Sequence, residues 1–524
     1  MTDLLQRSEL LSAPAAAQAE RTVGDVLRRA ARLGPTDPLV RTVTSAQEHV
    51  WTAADLLADA ERVAAGLLDR HEPGARIATC LVNGPEAVLL QLGVALAGMV
   101  LVPINPRSRP PELEHALRLS GAATIYAAQD AGGNPAADLA EDLAPGLSLA
   151  VHRCTGDWRS LLGAAPTRLP DVDPQSLAQI QFTSGTTGRA KGVRITHHGM
   201  VATSHAFRDR IGLPDGGVWL NPMPLFHTAG NVLGVMGALW QRCEHVVAPF
   251  EAGRVLALVA ERRATVLSSA PTLLDLLMAR PEIRDTDLGS VRVVFTGGQT
   301  VTPGFVDRVE ATFGARLIVT FGMTETCGSA LLSAPTDPAE VRRNTVGRPL
   351  AGTDVRIAGP DGTAVVPGEP GELWLRGARL TRGYHDDPQA TAAAIDQDGW
   401  LHTGDLAVMD TSGACRIVGR LKDMIKTGGE NVSPEEVEDA VVSHPSIVRA
   451  AVVGAPSERW GELVVAFVVP RPGARIDPGE LERHCRDRLS PFKVPRVWRV
   501  VDDLPMTASA KVQRAELRRI AAAQ

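Results

Sequence analysis

A run of small and hydroxyl-bearing residues that ends in a lysine is the part of this sequence best suited to chemistry. The segment reads QFTSGTTGRAKGVRITHHG over residues 181–199. It presents closely spaced backbone N–H groups, several hydroxyls and one ammonium, which together suit a polyphosphate. Polyphosphate binding explains this combination better than a plain surface turn does. The Gly-Lys-Ser/Thr spacing of a Walker A loop is missing. We therefore predict a phosphate loop of another type, formed by Thr183, Ser184, Gly185, Thr186, Thr187, Gly188 and Lys191.

Lysine is rare in this chain, and its positions carry information. Of the 54 basic residues, five are lysines: Lys191, Lys422, Lys426, Lys493 and Lys511. A codon bias toward arginine explains the deficit. Under such a bias, a retained lysine is expected where a compact ammonium cannot be replaced by the broad, planar guanidinium.

Six further segments carry short motifs rich in glycine, hydroxyls and charged residues. They are NPMPLFHTAGN (221–231), FTGGQTV (295–301), FGMTETCG (321–328), GWLHTGDLA (399–407), GRLKDMIKTGGENVSPEEVE (419–438) and LPMTASAKVQR (504–514). With the phosphate loop, they resemble in order the motifs of the adenylate-forming superfamily, which includes acyl-CoA synthetases, firefly luciferase and peptide-synthetase adenylation domains. Four of the five lysines fall where this superfamily uses one. The exception is Lys493, which we interpret as structural.

The resemblance implies a reaction in two steps. A carboxylate attacks the α-phosphate of ATP and releases pyrophosphate, and a thiol then displaces AMP from the acyl-adenylate. The expected co-substrates are ATP, CoA and a small-molecule carboxylic acid, with Mg²⁺ as the metal. Both steps gather negative charge, so positioning and electrostatic stabilisation should dominate catalysis.

The resemblance also assigns a nucleotide site. The phosphate loop would hold the β- and γ-phosphates, Thr324 would donate to the α-phosphate, and Glu325 would bind Mg²⁺. Phe321 occupies the usual tyrosine position of the superfamily and would stack on adenine. The remaining expected contacts are Gly297, Gly298, Gln299, Gly322 and Met323 around the base, with Asp405 and Arg420 on the ribose.

The C-terminal motifs imply a mobile domain with two poses. Lys511 would bridge the attacking carboxylate and the α-phosphate during adenylation, the alternative being a solvated surface lysine. Lys422 would be the hinge. In the second pose Lys426 would act, and Gly428 and Gly429 would line a narrow pantetheine tunnel.

The acyl pocket gives a weaker signal. Amino-acid adenylation domains place an aspartate just after the aromatic residue of this segment, whereas here Phe226 is followed by HTAG. We therefore expect an acid without an α-amino group. His227 is either a gate of the acyl tunnel or a packed core histidine. Gly230 and Gly234 share one α-helical face, which indicates either close helix packing or a pocket wall without side chains that accepts a bulky or medium-to-long acyl group.

Alternation of helical segments with short apolar runs from about residue 20 to 350 indicates βαβ units. Gly- and Pro-rich turns between about 345 and 420 indicate a compact β subdomain. We expect an α/β protein: an N-terminal domain (1–420) of two doubly wound subdomains plus a small β-barrel-like one, then a small mobile α+β domain (421–524).

Composition excludes several classes of function. The 524 residues are 44% hydrophobic and 22% charged with net charge −6, and no basic face suggests a nucleic-acid partner. The six cysteines are isolated and lack metal-ligand spacing. The apolar run 87–102 is too short to span a membrane and should form a buried helix followed by a strand. Without a signal-like N-terminus, we expect a cytoplasmic protein.

The main prediction is an acid–thiol ligase, namely an AMP-forming acyl-CoA synthetase. The main alternative is a stand-alone acyl-AMP ligase that loads the phosphopantetheine of a carrier protein, because the same loops would serve both acceptors. A luciferase-like oxygenase and a non-enzymatic scaffold are further, weaker alternatives.

Overall fold

Helices and short strands alternate along the chain. The structure, a computed structural model, describes residues 7–12, 20–45, 47–166, 168–183, 190–428, 430–506 and 512–523. In these residues the α-helices are α1 Val23–Leu33, α2 Ala53–Leu68, α3 Pro85–Leu96, α4 Pro110–Ser120, α5 Ala136–Leu143, α6 His197–Ile211, α7 Gly237–Gln241, α8 Ala252–Glu261, α9 Pro271–Met278, α10 Pro303–Phe313, α11 Ala339–Asn344, α12 Pro388–Ala394, α13 Pro434–Val442, α14 Pro478–Arg486 and α15 Arg514–Ala522. A π-helix covers Ala229–Met236, and short 3-10 turns include Thr324–Thr326 and Leu421–Asp423.

The strands of the same residues form four sheets. They are β1 Glu9–Leu10, β2 Pro38–Val43, β3 Glu48–Thr52, β4 Arg76–Cys80, β5 Val100–Pro103, β6 Thr124–Ala128, β7 Ala150–Cys154, β8 Leu177–Phe182, β9 Gly192–Thr196, β10 Val218–Asn221, β11 Glu244–Val247, β12 Val266–Ser268, β13 Val293–Gly297, β14 Arg316–Phe321, β15 Leu331–Leu332, β16 Arg348–Pro349, β17 Asp354–Ala358, β18 Pro370–Arg376, β19 Leu401–Met409, β20 Cys415–Arg420, β21 Ile425–Thr427, β22 Glu430–Val432, β23 Ile447–Ser457, β24 Gly461–Pro470 and β25 Val497–Val500.

Two sheets are mainly parallel and carry helices between their strands. One has the order β7-β6-β4-β5-β8-β9, in which β9 alone is antiparallel to its neighbour. The other has the order β16-β15-β14-β13-β12-β10-β11-β2-β3, parallel from β14 through β2. Buried aliphatic residues dominate their strands, as expected for parallel sheets covered on both faces. The α/β fold class is confirmed.

The two smaller sheets follow in the chain. The Gly- and Pro-rich segment forms an antiparallel sheet with the order β1-β17-β18-β19-β20, whose edge strand β1 comes from the N-terminal segment. The last sheet has the order β22-β21-β24-β23, with β25 parallel to β24. All its strands lie after the predicted boundary at residue 420.

The apolar run 87–102 behaves as predicted. Its first part forms most of α3, whose residues are nearly all buried, and its last part forms most of the buried strand β5. Gly98 has a φ of +64° at the turn between them, which explains the break there. Among the described residues, no helix combines the length and the apolar composition needed to cross a membrane.

Candidate functional site

The stem of the phosphate loop is a hairpin made by β8 and β9. The Thr183 N–H donates to the Lys191 carbonyl (3.0 Å), and the Lys191 N–H donates to the Thr183 hydroxyl (3.2 Å). His115 of α4 contacts the Ala190 carbonyl through Nε2 at 2.8 Å. The predicted phosphate ligands Ser184, Gly185, Thr186, Thr187 and Gly188 lie outside the described residues.

One tyrosine joins the phosphate loop to the predicted magnesium ligand. The Lys191 ammonium lies 4.7 Å from the centre of the Tyr384 ring, a cation–π distance. The Tyr384 hydroxyl donates to Glu325 Oε1 at 2.8 Å. Burial, together with the negative charge of Glu325, raises the pKa of Tyr384, so its phenol stays a hydrogen-bond donor. Lys191 and Glu325 are thus separated by a single side chain.

Strand pairing places Tyr384 in this position. Val193 of β9 forms an antiparallel bridge with Tyr384, the Arg194 N–H donates to the Gly383 carbonyl (3.0 Å), and the His385 N–H donates to the Gly192 carbonyl (2.7 Å). The motifs of the sequence do not point to Tyr384. The chain has two tyrosines, so the rarity argument applied to lysine would have found it.

The turn after β14 carries Thr324 and Glu325. Its carbonyl at Glu325 accepts the Thr381 N–H (2.8 Å), and the Met323 N–H donates to the Thr326 hydroxyl (3.0 Å). Gly322 is required there, because a Cβ would lie 2.0 Å from the Gly328 carbonyl oxygen. The Glu325 side chain is buried and points toward Tyr384.

The residues predicted around adenine gather at the ends of β13 and β14. These strands are parallel neighbours, with Gly297 opposite Thr320, so Gly298, Gln299 and Phe321 lie at one sheet edge. Ligands bind at such edges in open α/β sheets. A Cβ on Gly297 would lie 2.5 Å from Thr320 Cγ2, so packing between the strands is by itself enough to require this glycine, and its approach to the base stays a prediction.

Asp405 and Arg420 face each other across β19 and β20. Arg420 Nε donates to Asp405 Oδ1 at 2.8 Å. The second carboxylate oxygen, Oδ2, is buried and receives no hydrogen bond from the described part of the chain. Burial raises the pKa of Asp405, although Arg420 opposes the shift. An acceptor of this kind fits a ribose hydroxyl.

Buried amides hold the predicted acyl-pocket segment. Gln181 donates to the Phe226 carbonyl (2.7 Å), and Asn83 donates to the Met223 carbonyl (2.9 Å). The Leu225 N–H donates in turn to Asn83 Oδ1 (2.9 Å). The half-buried His227 ring lies against that of Phe226, with centroids 4.5 Å apart.

The structure corrects the interpretation of the glycines beyond His227. Residues 229–236 form a π-helix, so the α-helical spacing assumed for them does not apply. A Cβ on Gly230 would lie 2.2 Å from the Pro224 carbonyl oxygen, and one on Gly234 would lie 2.1 Å from Asn221 Nδ2. Close packing, the other interpretation, explains both glycines: Gly234 packs against Asn221 of β10 and Gly230 against the loop after it, so neither is evidence for a pocket wall that accepts a bulky acyl group.

The structure describes some of the residues predicted in the C-terminal motifs and not others. Lys511 and Gly429 lie outside the described residues. Lys422 lies in the 3-10 turn Leu421–Asp423, where burial lowers its pKa. Lys426 is the exposed residue of strand β21, between the buried Ile425 and Thr427. Its role in a second pose stays a prediction.

An aromatic platform that the sequence motifs do not predict lies beside Gly428. A Cβ on Gly428, whose φ is +62°, would lie 3.1 Å from Trp460 Cε3. The Trp460 ring has the guanidinium carbons of Arg496 and Arg459 at 4.2 and 5.1 Å from its centre. Its neighbours along the sequence carry no motif, so only the fold brings these residues together.

Known families and proteins match along nearly the whole chain. The AMP-binding enzyme family matches residues 27–385, and the AMP-binding enzyme C-terminal domain matches residues 436–511. The 3-[(3aS,4S,7aS)-7a-methyl-1,5-dioxo-octahydro-1H-inden-4-yl]propanoyl:CoA ligase of Mycobacterium tuberculosis is 35% identical, covering 95% of this chain and 99% of the relative. A feruloyl-CoA synthase of Amycolatopsis sp is 36% identical, covering 94% and 97%.

Solved structures resemble this chain in fold over almost its whole length. ATP-bound MatB from Rhodopseudomonas palustris has a TM-score of 0.87 at 28% identity, with 95% of this chain and 99% of that chain covered. The apo form of the same protein, with the same identity and coverage, has a TM-score of 0.78. The arrangement of this chain is therefore closer to the ATP-bound form.

Proposed function

We propose how this site divides its work, from the premise that the chain belongs to the AMP-binding enzyme family and is an AMP-forming acyl-CoA synthetase, an acid–thiol ligase that uses ATP and CoA. One observation carries the proposal: Lys191 and Glu325 lie on either side of Tyr384. An ammonium and a buried carboxylate at this separation suit the phosphates and the metal of one magnesium–triphosphate group.

For adenylation, we propose that Lys191 and the loop residues 183–188 hold the β- and γ-phosphates. Thr324 would donate to the α-phosphate, Asp405 would accept ribose hydroxyls beside Arg420, and Lys511 would bring the carboxylate to phosphorus. Glu325 is the residue that would bind Mg²⁺, because this ion prefers one or two carboxylates together with substrate phosphates. When bound, the ion would neutralise charge on the phosphate oxygens.

For thioester formation, we propose that Lys426, Gly428 and Gly429 serve CoA after the C-terminal domain turns about Lys422. The platform of Trp460 with Arg459 and Arg496 supports this assignment, because an aromatic face and two cations suit the base and phosphates of CoA. CoA is favoured over a carrier protein, because the relatives act on CoA.

For the acid, we propose a small organic carboxylic acid without an α-amino group, because no carboxylate follows Phe226 in the pocket segment. The two relatives act, by their names, on a bicyclic propanoate and on ferulate, so ring-bearing acids are the first to test. A cytoplasmic location is also proposed, since the six cysteines are unpaired thiols.

A pyrophosphate-release screen tests the proposal. Purified enzyme with Mg²⁺ and ATP is given ring-bearing, linear and amino acids, each with CoA, with a pantetheinylated carrier protein, or with neither. We expect pyrophosphate with a ring-bearing acid and a thioester with CoA alone. Turnover restricted to α-amino acids, or thioester on the carrier protein only, would contradict the assignment.

Two lysine variants test the division of labour. Lys511→Ala should slow acyl-adenylate formation roughly a hundredfold or more, as when one electrostatic donor is removed from a reacting oxyanion, yet convert supplied acyl-AMP to thioester normally. Lys426→Ala should show the reverse. The two half-reactions are measured separately, and Lys493→Ala, whose lysine pairs with Glu436 (2.6 Å), is the matched control. Equal losses in both half-reactions would refute the two-pose assignment.

A further inference from the structure

Arg379 is a buried arginine directly behind the turn that carries Thr324 and Glu325. It lies just after β18 and is 2% exposed. One guanidinium nitrogen donates to the Ser329 carbonyl (2.8 Å) and to the Thr203 hydroxyl of α6 (3.1 Å). The other terminal nitrogen donates to the Thr353 hydroxyl. The side chain therefore joins the turn, a helix and the antiparallel sheet.

The backbone around Arg379 holds the same turn. The Cys327 thiol donates to the Arg379 carbonyl (3.2 Å), and the Thr381 N–H donates to the Glu325 carbonyl (2.8 Å). Cys327 has a φ of +54°, a left-handed conformation that a cysteine rarely adopts without support. Residues 379–381 therefore hold the turn in place through hydrogen bonds at Glu325 and Cys327.

The charge of Arg379 has no carboxylate partner in the described part of the chain. Among the described residues, no ion pair within 4.0 Å joins its guanidinium to a carboxylate, and its Nε–H has no hydrogen-bond acceptor. Burial lowers the pKa of Arg379 to about 10, so the group still carries its charge at neutral pH. An uncompensated buried charge is costly, and the cost falls when an anion binds nearby.

We propose that Arg379 is a positioning residue for the nucleotide: its hydrogen bonds hold the 323–329 turn, and its unpaired charge favours an anionic nucleotide on that turn. The inference rests on the proposed function, which places the α-phosphate at Thr324. If the charge of Arg379 favours the nucleotide, its contribution to binding affinity must grow with the negative charge of the ligand. A purely structural arginine would give no such dependence.

The test is a comparison of three ligands that share the adenosine group. Dissociation constants for ATP, AMP and adenosine are measured by calorimetry without Mg²⁺, on the full-length protein and on Arg379→Met. We expect the variant to bind ATP more weakly by about tenfold, the order of effect of one charge acting through partly dehydrated protein. AMP should lose less, and adenosine should stay within twofold.

Two further variants complete the design. Arg379→Lys, which keeps the charge, should retain most of the affinity for ATP. Arg382→Met removes an exposed arginine three residues away, which contacts Gln175, and should change none of the three constants. If Arg379→Met does not fold, Arg379→Gln, which keeps an amide donor for the Ser329 carbonyl, is measured in the same way.

The outcomes separate this inference from the proposed function. An equal loss for adenosine and ATP would make Arg379 a structural anchor only, and unchanged ATP binding would remove its role altogether. Either result overturns the inference while wild-type ATP binding keeps the proposed function standing. Absence of ATP binding by the wild-type protein would instead overturn the proposed function itself.

Discussion

Single side chains in this site act largely by holding other side chains. Tyr384 donates to Glu325, Arg420 donates to Asp405, and Gln181 supports the Phe226 carbonyl. Two of the supported groups, Glu325 and Asp405, are ones for which we propose contact with metal or substrate. Such supporting hydrogen bonds orient ligating groups and limit the rearrangement that the reaction requires.

Tyr384→Phe tests this support at Glu325. The variant keeps the ring beneath Lys191 and removes only the hydroxyl that orients the carboxylate. We expect the Mg²⁺ concentration for half-maximal adenylation to rise about tenfold, the usual loss when a supporting hydrogen bond to a metal ligand is removed. Magnesium titrations of adenylation measure it. Tyr126→Phe, at the other tyrosine of the chain, is the control, and an unchanged titration in Tyr384→Phe would contradict the arrangement.

Asp405 should distinguish nucleosides by their ribose hydroxyls. A buried acceptor oxygen without a donor gains a charge-assisted hydrogen bond when ribose binds. Asp405→Asn should therefore bind adenosine about tenfold more weakly or worse, with little change for 2′,3′-dideoxyadenosine. Calorimetry with both nucleosides decides the matter. Parallel losses for the two would place Asp405 away from the ribose.

The raised pKa of Asp405 adds a pH dependence. The folded protein holds this proton more tightly than the unfolded chain, so the carboxylate lowers the free energy of unfolding as pH rises from 3.8 through the raised pKa. Ribose needs the ionised form as acceptor, so adenosine affinity should fall as pH is lowered through the same range. Asp405→Asn should lack the contribution of this carboxylate to both trends. Unfolding and binding measured across pH, with variant and wild type compared, check both signs.

At the level of elements, the site lies where strands end and turns begin. The hairpin β8–β9 supplies the stem of the phosphate loop, and the parallel neighbours β13 and β14 supply the edge for the base. The π-helix after β10 packs closely on that strand and on the loop that follows it: a Cβ on Gly234 would lie 2.1 Å from Asn221 Nδ2, and one on Gly230 would lie 2.2 Å from the Pro224 carbonyl oxygen. Such π-helical segments are frequent at functional sites.

Gly234→Ala tests the packing of the π-helix. The new Cβ would lie 2.1 Å from Asn221 Nδ2, so the helix must move or the asparagine must give up its hydrogen bond to the Gly230 carbonyl. We expect the free energy of unfolding to fall by about 1–3 kcal/mol, as for other overpacked cores. Denaturant unfolding measures it.

Gly304→Ala is the matched control for that experiment. Gly304 lies exposed in the first turn of α10, and a Cβ there meets no atom within 4 Å. A helical glycine replaced by alanine in open space should stabilise the protein by up to about 1 kcal/mol. A Gly234→Ala protein as stable as wild type would restore the interpretation of an open pocket wall.

At the level of the whole molecule, contacts across residue 420 hold the C-terminal sheet against the rest. The Ser433 hydroxyl donates to the Val418 carbonyl of β20 at 2.6 Å. A Cβ on Gly419 would lie 3.0 Å from the Ser433 hydroxyl oxygen. Arg518 of α15 donates to Asp423 (2.8 Å), a hydrogen bond that lies within the C-terminal domain beside the proposed hinge. The Ser433 contact to β20 belongs to one pose and must change if the domain turns about Lys422.

Ser433→Ala should shift the balance between poses. Losing one hydrogen bond of about 1 kcal/mol weakens the pose described here about fivefold. Because this pose is closer to an ATP-bound relative, adenylation should slow several-fold while thioester formation from supplied acyl-AMP is unchanged or faster. Ser443→Ala, whose hydroxyl bonds only within the C-terminal domain to Ala440 and His484, is the control. Equal effects on both half-reactions would count against a pose-specific contact.

Much of the chemistry could be predicted from the sequence, because the motif residues are contiguous. Each predicted group lies in a short continuous motif: the loop of hydroxyls, glycines and a lysine, the turn with Thr324 and Glu325, and the segments that carry the other lysines. Composition and periodicity were enough for the α/β class as well, because burial on both faces of a parallel sheet requires continuous apolar strands.

Only the tertiary structure decided how distant residues meet. Tyr384 reaches Glu325 across 59 residues, and Gly234 is packed where an open wall was expected. In the part of the chain that the structure describes, Arg379 has no carboxylate partner behind the same turn, and Asp405 keeps a buried oxygen without a donor. These features depend on strand register, on a π-helical turn and on which atoms burial leaves without partners, and none of them leaves a periodic or local trace in the amino-acid order.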